Sequence, residues 1–268
     1  MLMTNFLRDR KSIREFRNKK IDTETMEVIK SYLKSLEGEV GNAKFKFYEN
    51  GDYIYDKLKG ISGYSGLMIE SPHYIALEHA KGDRNAVIYG AYNMEKMITE
   101  LNRLGLETCW ISTDTIKDEF KETVFGEHTG VIDYIIAVGY GKRKNPFAKE
   151  VTSTRLGVDE IVFSESMGKK IDENELEHRG LDDLFYYARF APSKWNMQPW
   201  RFLLAKDKVT LLIKHVEGST QHLVEAGIIM YYFKELAKTI GIENEWEQLE
   251  GTLMGEEANY DYIAEIKL

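Results

Sequence analysis

The sequence predicts an α+β protein of two fused half-domains, each with a small mixed or antiparallel sheet and a long central helix. Apolar residues at helical spacing alternate along the chain with short apolar runs that are typical of strands. The order of these segments repeats after a charged, irregular stretch at residues 142–160. The 268 residues also suffice for a sizeable core without disulfide or metal staples.

The composition excludes several classes of protein. With 43% hydrophobic residues, 30% charged residues and only 4 prolines, the chain is neither disordered nor fibrous. The net charge of −8 argues against a nucleic-acid binder but leaves room for a small basic site. The single cysteine, Cys109, excludes an internal disulfide and fits a reducing compartment. Neither a signal peptide nor a run of roughly 18 apolar residues is found, so we expect a soluble, cytoplasmic protein.

The first half contains two predicted helices and three predicted strands. Asp22 and Thr23 can cap the first helix, and Gly105 is a helix-ending residue after the second. The segments are a helix over 22–36, strands over 43–49 and 73–78, a helix over 85–104 and a strand over 132–140. The last strand is nearly all apolar, which predicts burial on both faces.

The second half repeats this order. Its predicted segments are a helix over 174–190, strands over 200–205 and 209–215, a helix over 221–240 and a strand over 260–267. A glutamate-rich stretch, residues 243–257, is predicted to be the solvated face of a helix. We place the boundary between the half-domains after residue 145, giving half-domains of 1–145 and 146–268.

Short identities connect the two halves. The sequence Lys-Lys-Ile-Asp occurs at 19–22 and again at 169–172, and Asp-Tyr-Ile begins the last strand of each half. The long helices also align: Met94, Gly105, Glu107 and Trp110 match Met230, Gly241, Glu243 and Trp246. These identities are few and could arise by chance, but the matching segment order favours an internal duplication. Such a chain is a pseudo-dimer in itself.

Three cations and a hydroxyl are packed into the segment Arg10-Lys11-Ser12-Ile13-Arg14. Arginine offers a planar fork of donors to phosphate oxygens, and serine adds one short donor. The segment can therefore hold a phosphomonoester. The alternative is a solvated basic N-terminal segment with no ligand.

The most unusual segment is Ala-Pro-Ser-Lys-Trp-Asn-Met-Gln-Pro-Trp at 191–200. Its two prolines end a helix and precede a strand. Between them, Ser193, Asn196 and Gln198 offer donors and acceptors from a stiffened loop beside two indoles. This arrangement suits a flat heteroaromatic ligand, and the alternative is a helix-to-strand turn with buried tryptophans.

Other signals are weaker. Residues 105–112, Gly-Leu-Glu-Thr-Cys-Trp-Ile-Ser, form by themselves a helix stop and an apolar turn. Cys109 has no evident activating partner and is predicted to be a buried apolar residue. The 6 histidines show no metal-ligand spacing, so the sequence predicts no metal site.

Together, the basic segment, the proline loop and residues 105–112 resemble the FMN-dependent nitroreductase family. A fourth, weaker match is Ser-Thr-Arg-Leu at 153–156. The resemblance touches nearly the whole chain and implies a nitroreductase-like α+β fold. In homodimers of the family, FMN lies at the interface, with the basic motif from one subunit and the proline loop from the other.

This chain departs from that pattern, because each half keeps only one of the two motifs. At the loop position the first half has Lys-Ser-Leu-Glu-Gly-Glu-Val at 34–40, and at the basic position the second half has Glu-Ile-Val-Phe-Ser at 160–164. The resemblance therefore implies one composite FMN site per chain. We expect a monomer that acts as an intramolecular pseudo-dimer.

The resemblance also implies roles for individual residues. Arg10, Lys11, Ser12 and Arg155 would meet the FMN phosphate and ribityl chain, and Arg14 would lie near the pyrimidine edge of the flavin. The remaining cofactor-binding residues are Pro192, Ser193, Asn196 and Gln198 at the ring and ribityl chain, and Ile111 and Ser112, whose amides would lie near N5. No catalytic side chain is implied, since the flavin N5 itself does the chemistry.

The function implied is an FMN-dependent oxidoreductase. It would pass hydride from NADH or NADPH through the flavin to an electron-poor small molecule such as a nitroaromatic or a quinone. Neither nucleic acid nor membrane is expected as a partner. The alternative is a non-catalytic protein that holds FMN as a sensor.

Overall fold

A computed structural model describes residue 7 and residues 10–40, 42–63, 66–142, 154–255 and 257–268. The described residues of Arg8–Lys149 form one compact unit, here called the first unit. Those of Glu150–Leu268, together with Leu7, form the second unit. The boundary that the sequence predicts after residue 145 lies outside the described residues.

The first unit contains a four-stranded antiparallel sheet. Its strands are β1 (Ala43–Tyr48), β2 (His73–His79), β3 (Glu107–Ser112) and β4 (Val131–Gly139), in the order β1-β2-β4-β3. In the register of β2 on β4, His73 lies opposite Val138. In the register of β3 on β4, Cys109 lies opposite Ala137. Because β2 and β4 are central, β2 is buried along its whole length.

Helices cover both faces of this sheet. They are α1 (Thr23–Val40), α2 (Gly51–Leu58), α3 (Arg84–Arg103) and α4 (Asp118–Phe125). Alternate residues of a strand point to opposite faces. Ile75 of β2 therefore packs with apolar residues of α1 and α3, whereas Ala76 packs with those of α2 and α4. The first unit is thus a sheet between two helical layers.

The second unit contains a larger, mixed sheet. Its strands are β5 (Val162–Ser164), β6 (Trp200–Leu204), β7 (Lys208–Lys214), β8 (Glu247–Gln248), β9 (Thr252–Leu253) and β10 (Tyr260–Lys267). The order is β5-β6-β7-β10-β8, and β9 also pairs with β10. Only β5 on β6 is parallel among these described pairs. These two sheets confirm the predicted α+β class.

The helices of the second unit are α5 (Val158–Ile161), α6 (Glu173–His178), α7 (Asp182–Ala188) and α8 (Gln221–Lys238). Helix α8 is buried over most of its length. Phe233 of α8 contacts the rings of Phe185, Phe202 and Trp246, with centroids 5.2 to 5.7 Å apart. This aromatic cluster joins α7, α8 and β6 into one core.

The strand order of the first unit recurs in the second. The antiparallel series β1-β2-β4-β3 has the same order and orientation as β6-β7-β10-β8. The long helices α3 and α8 occupy the same place in this order and are followed by left-handed glycines, Gly105 and Gly241. Internal duplication remains a prediction, and this agreement supports it.

The repeated Lys-Lys-Ile-Asp sequence also has the same local structure twice. Ile21 and Ile171 are both buried. The carboxylate of Asp22 accepts a 2.9 Å hydrogen bond from an amide in α1, and that of Asp172 accepts one of 3.0 Å from an amide in α6. Each copy therefore anchors an isoleucine and caps the helix that follows.

Three sequence-based expectations are wrong. The helix predicted over 174–190 is two helices, α6 and α7, because Gly180 adopts a left-handed φ of 64° between them. The stretch 105–112 is not a turn, since Glu107–Ser112 forms β3. The stretch 243–257 is not a helix, since its residues pair with β10 as β8 and β9.

The spacing of apolar residues also fails to indicate α2 and α4. These helices have only 8 residues each and show too few apolar repeats. Part of the charged stretch at 142–160 falls in residues 143–153, outside the described residues, and its end forms α5. Among the helices that the structure describes, none is long and apolar enough to cross a membrane.

Candidate functional site

The basic segment of the first unit lies along the edge strand β3. Ser12 pairs with Thr108 in a parallel bridge, and the amide of Ile13 donates a 2.9 Å hydrogen bond to the carbonyl of Thr108. Ile13 and Phe16 are buried in the core cluster on the α2 and α4 side of the sheet. Because they anchor the segment, the side chains of Lys11, Ser12 and Arg14 remain exposed.

Arg10 is the exception among the cations, because its side chain is only 5% exposed. Its Nη2 donates to Oε1 of Glu95, 3.2 Å away, and Glu95 is 1% exposed. Its Nη1 donates to Oγ of Ser12 at 2.9 Å. Because the Ser12 oxygen accepts this bond, its own hydroxyl proton can be donated to another acceptor. Arg10 thereby orients Ser12.

Lys11 lines an open groove of about 410 Å³ within the first unit. Arg17 and Glu107 also line it, together with the polar side chains of Asn102 and Tyr140. The groove therefore has two cations and one carboxylate on its walls. It is a polar depression and suits a charged or hydrogen-bonding group better than an apolar one.

Ile111 and Ser112 end the same strand, β3, beside which the basic segment begins. As β3 is an edge strand, alternate main-chain groups point away from β4. The carbonyl of Ser112 accepts a 2.8 Å hydrogen bond from the hydroxyl of Ser62. The hydroxyl of Ser112 donates a hydrogen bond to the carboxylate of Asp114. Thr108 and Ser112 lie four residues apart, which is about 13 Å along a strand. The edge of β3 therefore carries both the basic segment and the predicted residues Ile111 and Ser112.

Cys109 lies in the middle of β3 and is buried, as the sequence predicts. Burial raises the pKa of its thiol above the ordinary value, against the smaller effect of Arg14 and Arg10. The thiol is therefore held protonated and is a packing residue rather than a nucleophile.

In the second unit, the proline loop has an unusual backbone. Trp195, Asn196 and Gln198 adopt left-handed φ values of 55°, 58° and 48°. For a non-glycine residue this conformation costs roughly 1–2 kcal/mol each, so the surrounding contacts must hold it. The side chains of Trp195 and Met197 are largely exposed, at 53% and 57%. The loop therefore presents large apolar side chains on a strained frame.

Gln198 holds this loop from inside. Its main-chain amide donates to Oγ of Ser193 at 3.0 Å, and its side-chain Nε2 donates to the carbonyl of Asn196 at 3.1 Å. Its Oε1 accepts a 3.0 Å hydrogen bond from the amide of Leu156. Both polar atoms of the buried Gln198 side chain are thus used within the protein, and Pro192 and Ser193 lie half-buried beside it.

Arg155 and Asn196 are brought next to each other by the same loop. Nδ2 of Asn196 donates a 2.6 Å hydrogen bond to the carbonyl of Thr154, the neighbour of Arg155. Nη1 of Arg155 donates to the carbonyl of Ala191 at 3.0 Å, and desolvation lowers the pKa of Arg155. Ser153, at the start of the weaker predicted motif, lies outside the described residues.

Each of these two side chains keeps one buried polar atom without a partner. Oδ1 of Asn196 and Nε of Arg155 are buried and have no hydrogen-bond partner in the part of the chain that the structure describes. One is an acceptor and the other a donor. Buried polar atoms are normally satisfied, so this pair marks a place where a ligand with both kinds of group can bind.

Glu225 of α8 also supports the loop, and the sequence analysis does not identify it. Its Oε1 accepts a 2.8 Å hydrogen bond from the amide of Lys194. Burial raises the pKa of Glu225 to about 7, although the bond from Lys194 opposes this shift. A carboxylate within the otherwise apolar run 223–233 of this helix was the available signal. Its partner lies 31 residues away, so spacing could not reveal the contact.

Comparisons with known proteins agree on one family. The family model described as "Putative TM nitroreductase" matches residues 3–237. A solved structure described as a "putative nitroreductase" from Thermotoga maritima is 18% identical, with a TM-score of 0.58, and the match covers 98% of this chain and 94% of that one. At this identity the similarity concerns the fold.

Two further solved structures resemble the chain more loosely. An "FMN-dependent Nitroreductase" from Clostridium difficile is 14% identical, with a TM-score of 0.44, and the match covers 66% of this chain and 96% of that one. A "Putative NADH Oxidase" from Clostridium acetobutylicum is 21% identical, with a TM-score of 0.44 and coverages of 62% and 99%. No curated protein matches the sequence significantly.

Proposed function

Because the chain belongs to the family described as "Putative TM nitroreductase", we propose that it is a flavin oxidoreductase that binds FMN. It would pass hydride from NADH or NADPH to an electron-poor acceptor such as a nitroaromatic or a quinone. The observation that carries the proposal is the pair of buried, unpartnered atoms in the second unit, Nε of Arg155 and Oδ1 of Asn196.

This pair fits the chemistry of a flavin. The ring system and ribityl chain of FMN present donors and acceptors side by side, and the loop offers one donor and one acceptor that lack partners among the described residues. Leaving such a group buried without a hydrogen bond costs about 1–3 kcal/mol. A ligand that supplies the missing bonds recovers this energy, which supports binding at the proline loop.

The first unit supplies groups suited to a phosphate. Lys11 offers an exposed ammonium, and Ser12 offers a hydroxyl that Arg10 orients through the 2.9 Å bond to Oγ. Arg10 is then a positioning residue, because its guanidinium already pairs with Glu95. Arg14 would act at the pyrimidine edge of the flavin, where a cation favours the reduced form.

When bound, FMN supplies the hydride chemistry, and the protein supplies anchoring, orientation and charge. We propose that Arg155, Pro192, Ser193 and Asn196 hold the ring and ribityl chain, with Gln198 and Glu225 fixing the loop that carries them. Main-chain groups of alternate residues in β3 point away from β4, so the Ser112 amide would face the flavin N5, whereas the Ile111 amide points to β4. These assignments rest on the family motifs and on the local geometry of each unit.

We further propose that the protein binds one FMN per chain and works as a monomer. The two motifs occur once each in this sequence, in different halves. The test is the flavin content of the purified protein after FMN is added in excess and unbound cofactor is removed. One FMN per chain is the expected result, and two per chain would contradict a single site.

Substitutions test the individual assignments. Asn196→Leu removes the buried acceptor, and Arg14→Ala removes the exposed cation. Each should weaken FMN binding by about tenfold or more, the effect of about 1.4 kcal/mol. Asn244→Leu and Arg103→Ala are matched controls at exposed positions and should bind FMN like the wild type. Equal affinity in all four variants would contradict these assignments.

Anaerobic reduction separates the oxidoreductase from the flavin sensor. NADH or NADPH should bleach the flavin absorbance of the loaded protein, and a nitroaromatic or quinone should restore it. A protein that keeps FMN but is not bleached by either nicotinamide would support the sensor. A protein that stays colourless after addition of FMN would exclude both functions.

A further inference from the structure

Two histidines and one aspartate converge in the second unit. His215 follows β7, His222 lies in the first turn of α8 and Asp261 lies in β10. Nδ1 of His215 is 2.8 Å from Oδ2 of Asp261, and Nε2 of His222 is 3.3 Å from the same oxygen. The three ligand atoms all lie within 4.8 Å of one another.

These distances are close to those that a tetrahedral ion requires. With metal–nitrogen and metal–oxygen bonds near 2.0–2.1 Å, neighbouring ligand atoms lie about 3.3 Å apart. The distance from His222 to Asp261 already has this value, and that from His215 to Asp261 needs to open by about 0.5 Å. The imidazole rings, with centroids 5.2 Å apart, face the same carboxylate.

We propose that His215, His222 and Asp261 form a binding site for one divalent transition-metal ion of the zinc class. Two imidazoles and a carboxylate are a ligand set that suits Zn²⁺. Mg²⁺ and Ca²⁺ instead take oxygen ligands. Water would occupy the fourth coordination position, because the site is open to solvent on the side of His215. The side chain of His215 is 39% exposed, whereas that of His222 is 6% exposed.

A neighbouring hydroxyl group supports the carboxylate. The hydroxyl of Thr252 in β9 donates a 2.8 Å hydrogen bond to Oδ1 of Asp261, leaving Oδ2 directed at the two imidazoles. Ligands that are fixed by neighbours in this way bind metal more tightly than mobile ones.

The position of the site gives the ion a structural effect. It would join the end of β7 and the start of α8 to the start of β10, which is distant from both in sequence. His222 lies three residues before Glu225, on the same side of α8. A bound ion would therefore fix the helical turn that also holds the proline loop.

The experiment is a titration of the full chain, freed of metal by a chelator, with ZnCl₂ in a calorimeter. We expect one ion per chain and an affinity at least about tenfold lower in His215→Ala. His178→Ala, at an exposed histidine of α6 in the same unit, is the matched control and should bind like the wild type. Titration with CoCl₂ should give the visible bands of a four-coordinate ion, and His215→Ala should lack them.

Asp261→Asn and His222→Ala give the same expectation but alter buried side chains, so circular dichroism must show that these variants fold. His215→Ala decides the matter, because it truncates a partly exposed side chain and its main-chain bond to Asn259 remains. The proposal is overturned if the wild type takes up no Zn²⁺, or if His215→Ala and the wild type bind it equally. Neither result depends on whether the protein binds FMN.

Discussion

The main-chain amide of Lys194 donates a 2.8 Å hydrogen bond to the buried carboxyl group of Glu225, which fastens the proline loop to α8. Burial raises the pKa of this carboxyl group from 4.5 to about 7. In the folded protein Glu225 therefore keeps its proton over a pH range in which the unfolded chain releases it. The loop is connected to a group that titrates near neutrality.

This connection predicts a pH dependence of stability. Below the unfolded pKa of 4.5, Glu225 is protonated in both states and its contribution is fully present. As the pH rises through the folded pKa of about 7, that contribution is lost, because the unfolded state gains by ionising first. The free energy of unfolding should fall by about 3 kcal/mol over this window. Urea unfolding at about pH 5 and about pH 8 measures the change.

Glu225→Gln is the matched variant for this experiment, since it keeps an acceptor for the Lys194 amide and cannot ionise. Its stability should change little over the same window. If the wild type and Glu225→Gln show the same pH dependence, other groups are responsible for it.

The left-handed conformation of Trp195 predicts an unusual order of stability between two variants. With a φ of 55°, any residue with a Cβ is strained there, whereas glycine is not. Trp195→Gly should therefore be more stable than Trp195→Ala by about 1 kcal/mol. In an ordinary loop the greater freedom of unfolded glycine gives the opposite order. Thermal unfolding of both variants tests this, and a more stable alanine variant would show that the position is unstrained.

The buried pair of Arg10 and Glu95 predicts a large loss of stability when one partner is neutralised. Glu95→Gln keeps the shape and removes the negative charge 3.2 Å from the Arg10 guanidinium, whose side chain is 5% exposed. The free energy of unfolding should fall by about 3–5 kcal/mol. Trp110→Phe keeps an aromatic ring but removes the 2.7 Å bond from the indole to Glu95, and the loss of this bond should cost about 1 kcal/mol.

Glu100→Gln is the control for that pair, because Glu100 pairs with Arg103 at the surface. An exposed pair contributes at most about 1 kcal/mol. Equal stability of Glu95→Gln and Glu100→Gln in urea would mean that the Arg10 pair does not stabilise the first unit.

The lowered pKa of Asp133 predicts a loss of stability of the first unit in acid. Burial raises its pKa, but His79 and Lys121 outweigh burial and hold it at about 2, below the ordinary 3.8. Its stabilisation is therefore present above the unfolded pKa of 3.8 and is lost as the pH falls through about 2. The loss should be about 2 kcal/mol, measured by urea unfolding across this range.

Lys121→Met should remove much of that acid dependence, because the ammonium lies 2.8 Å from the Asp133 carboxylate in a buried position. Lys117→Met, at an exposed lysine one turn earlier, should leave it unchanged. If both variants lose stability in acid as the wild type does, Lys121 is not the group that lowers the Asp133 pKa.

Patterns that act over a few residues were sufficient for much of the fold. The periodic apolar residues of α1, α3 and α8 and the apolar runs of β2, β4 and β7 predict elements whose ends agree within a few residues with the structure. Asp22 and Gly105 predict a helix start and a helix end because capping is local. Short elements such as α2, and strands as short as β8, lack enough residues to show a period.

Contacts between distant segments could not be predicted in this way. The proline loop is recognisable from its composition, but its attachment to Glu225 depends on where α8 packs. In the same way, His215 and Asp261 meet only because β7 and β10 pair with Asp261 opposite Ile213. Spacing along the chain carries no information about such a register, so the histidines gave no metal signal.

The position of the basic segment has a consequence for solubility. An uncovered edge strand can pair with the edge of another molecule and begin aggregation. In the first unit, the residues around Ser12 and Phe16 lie across the exposed side of β3 and the end of β4, and bring charged side chains to that edge. A chain shortened past Arg17 would therefore present an uncovered strand, half of whose residues are apolar, to its neighbours. These few residues therefore also cover a strand edge that could otherwise pair with a second molecule, whatever they bind.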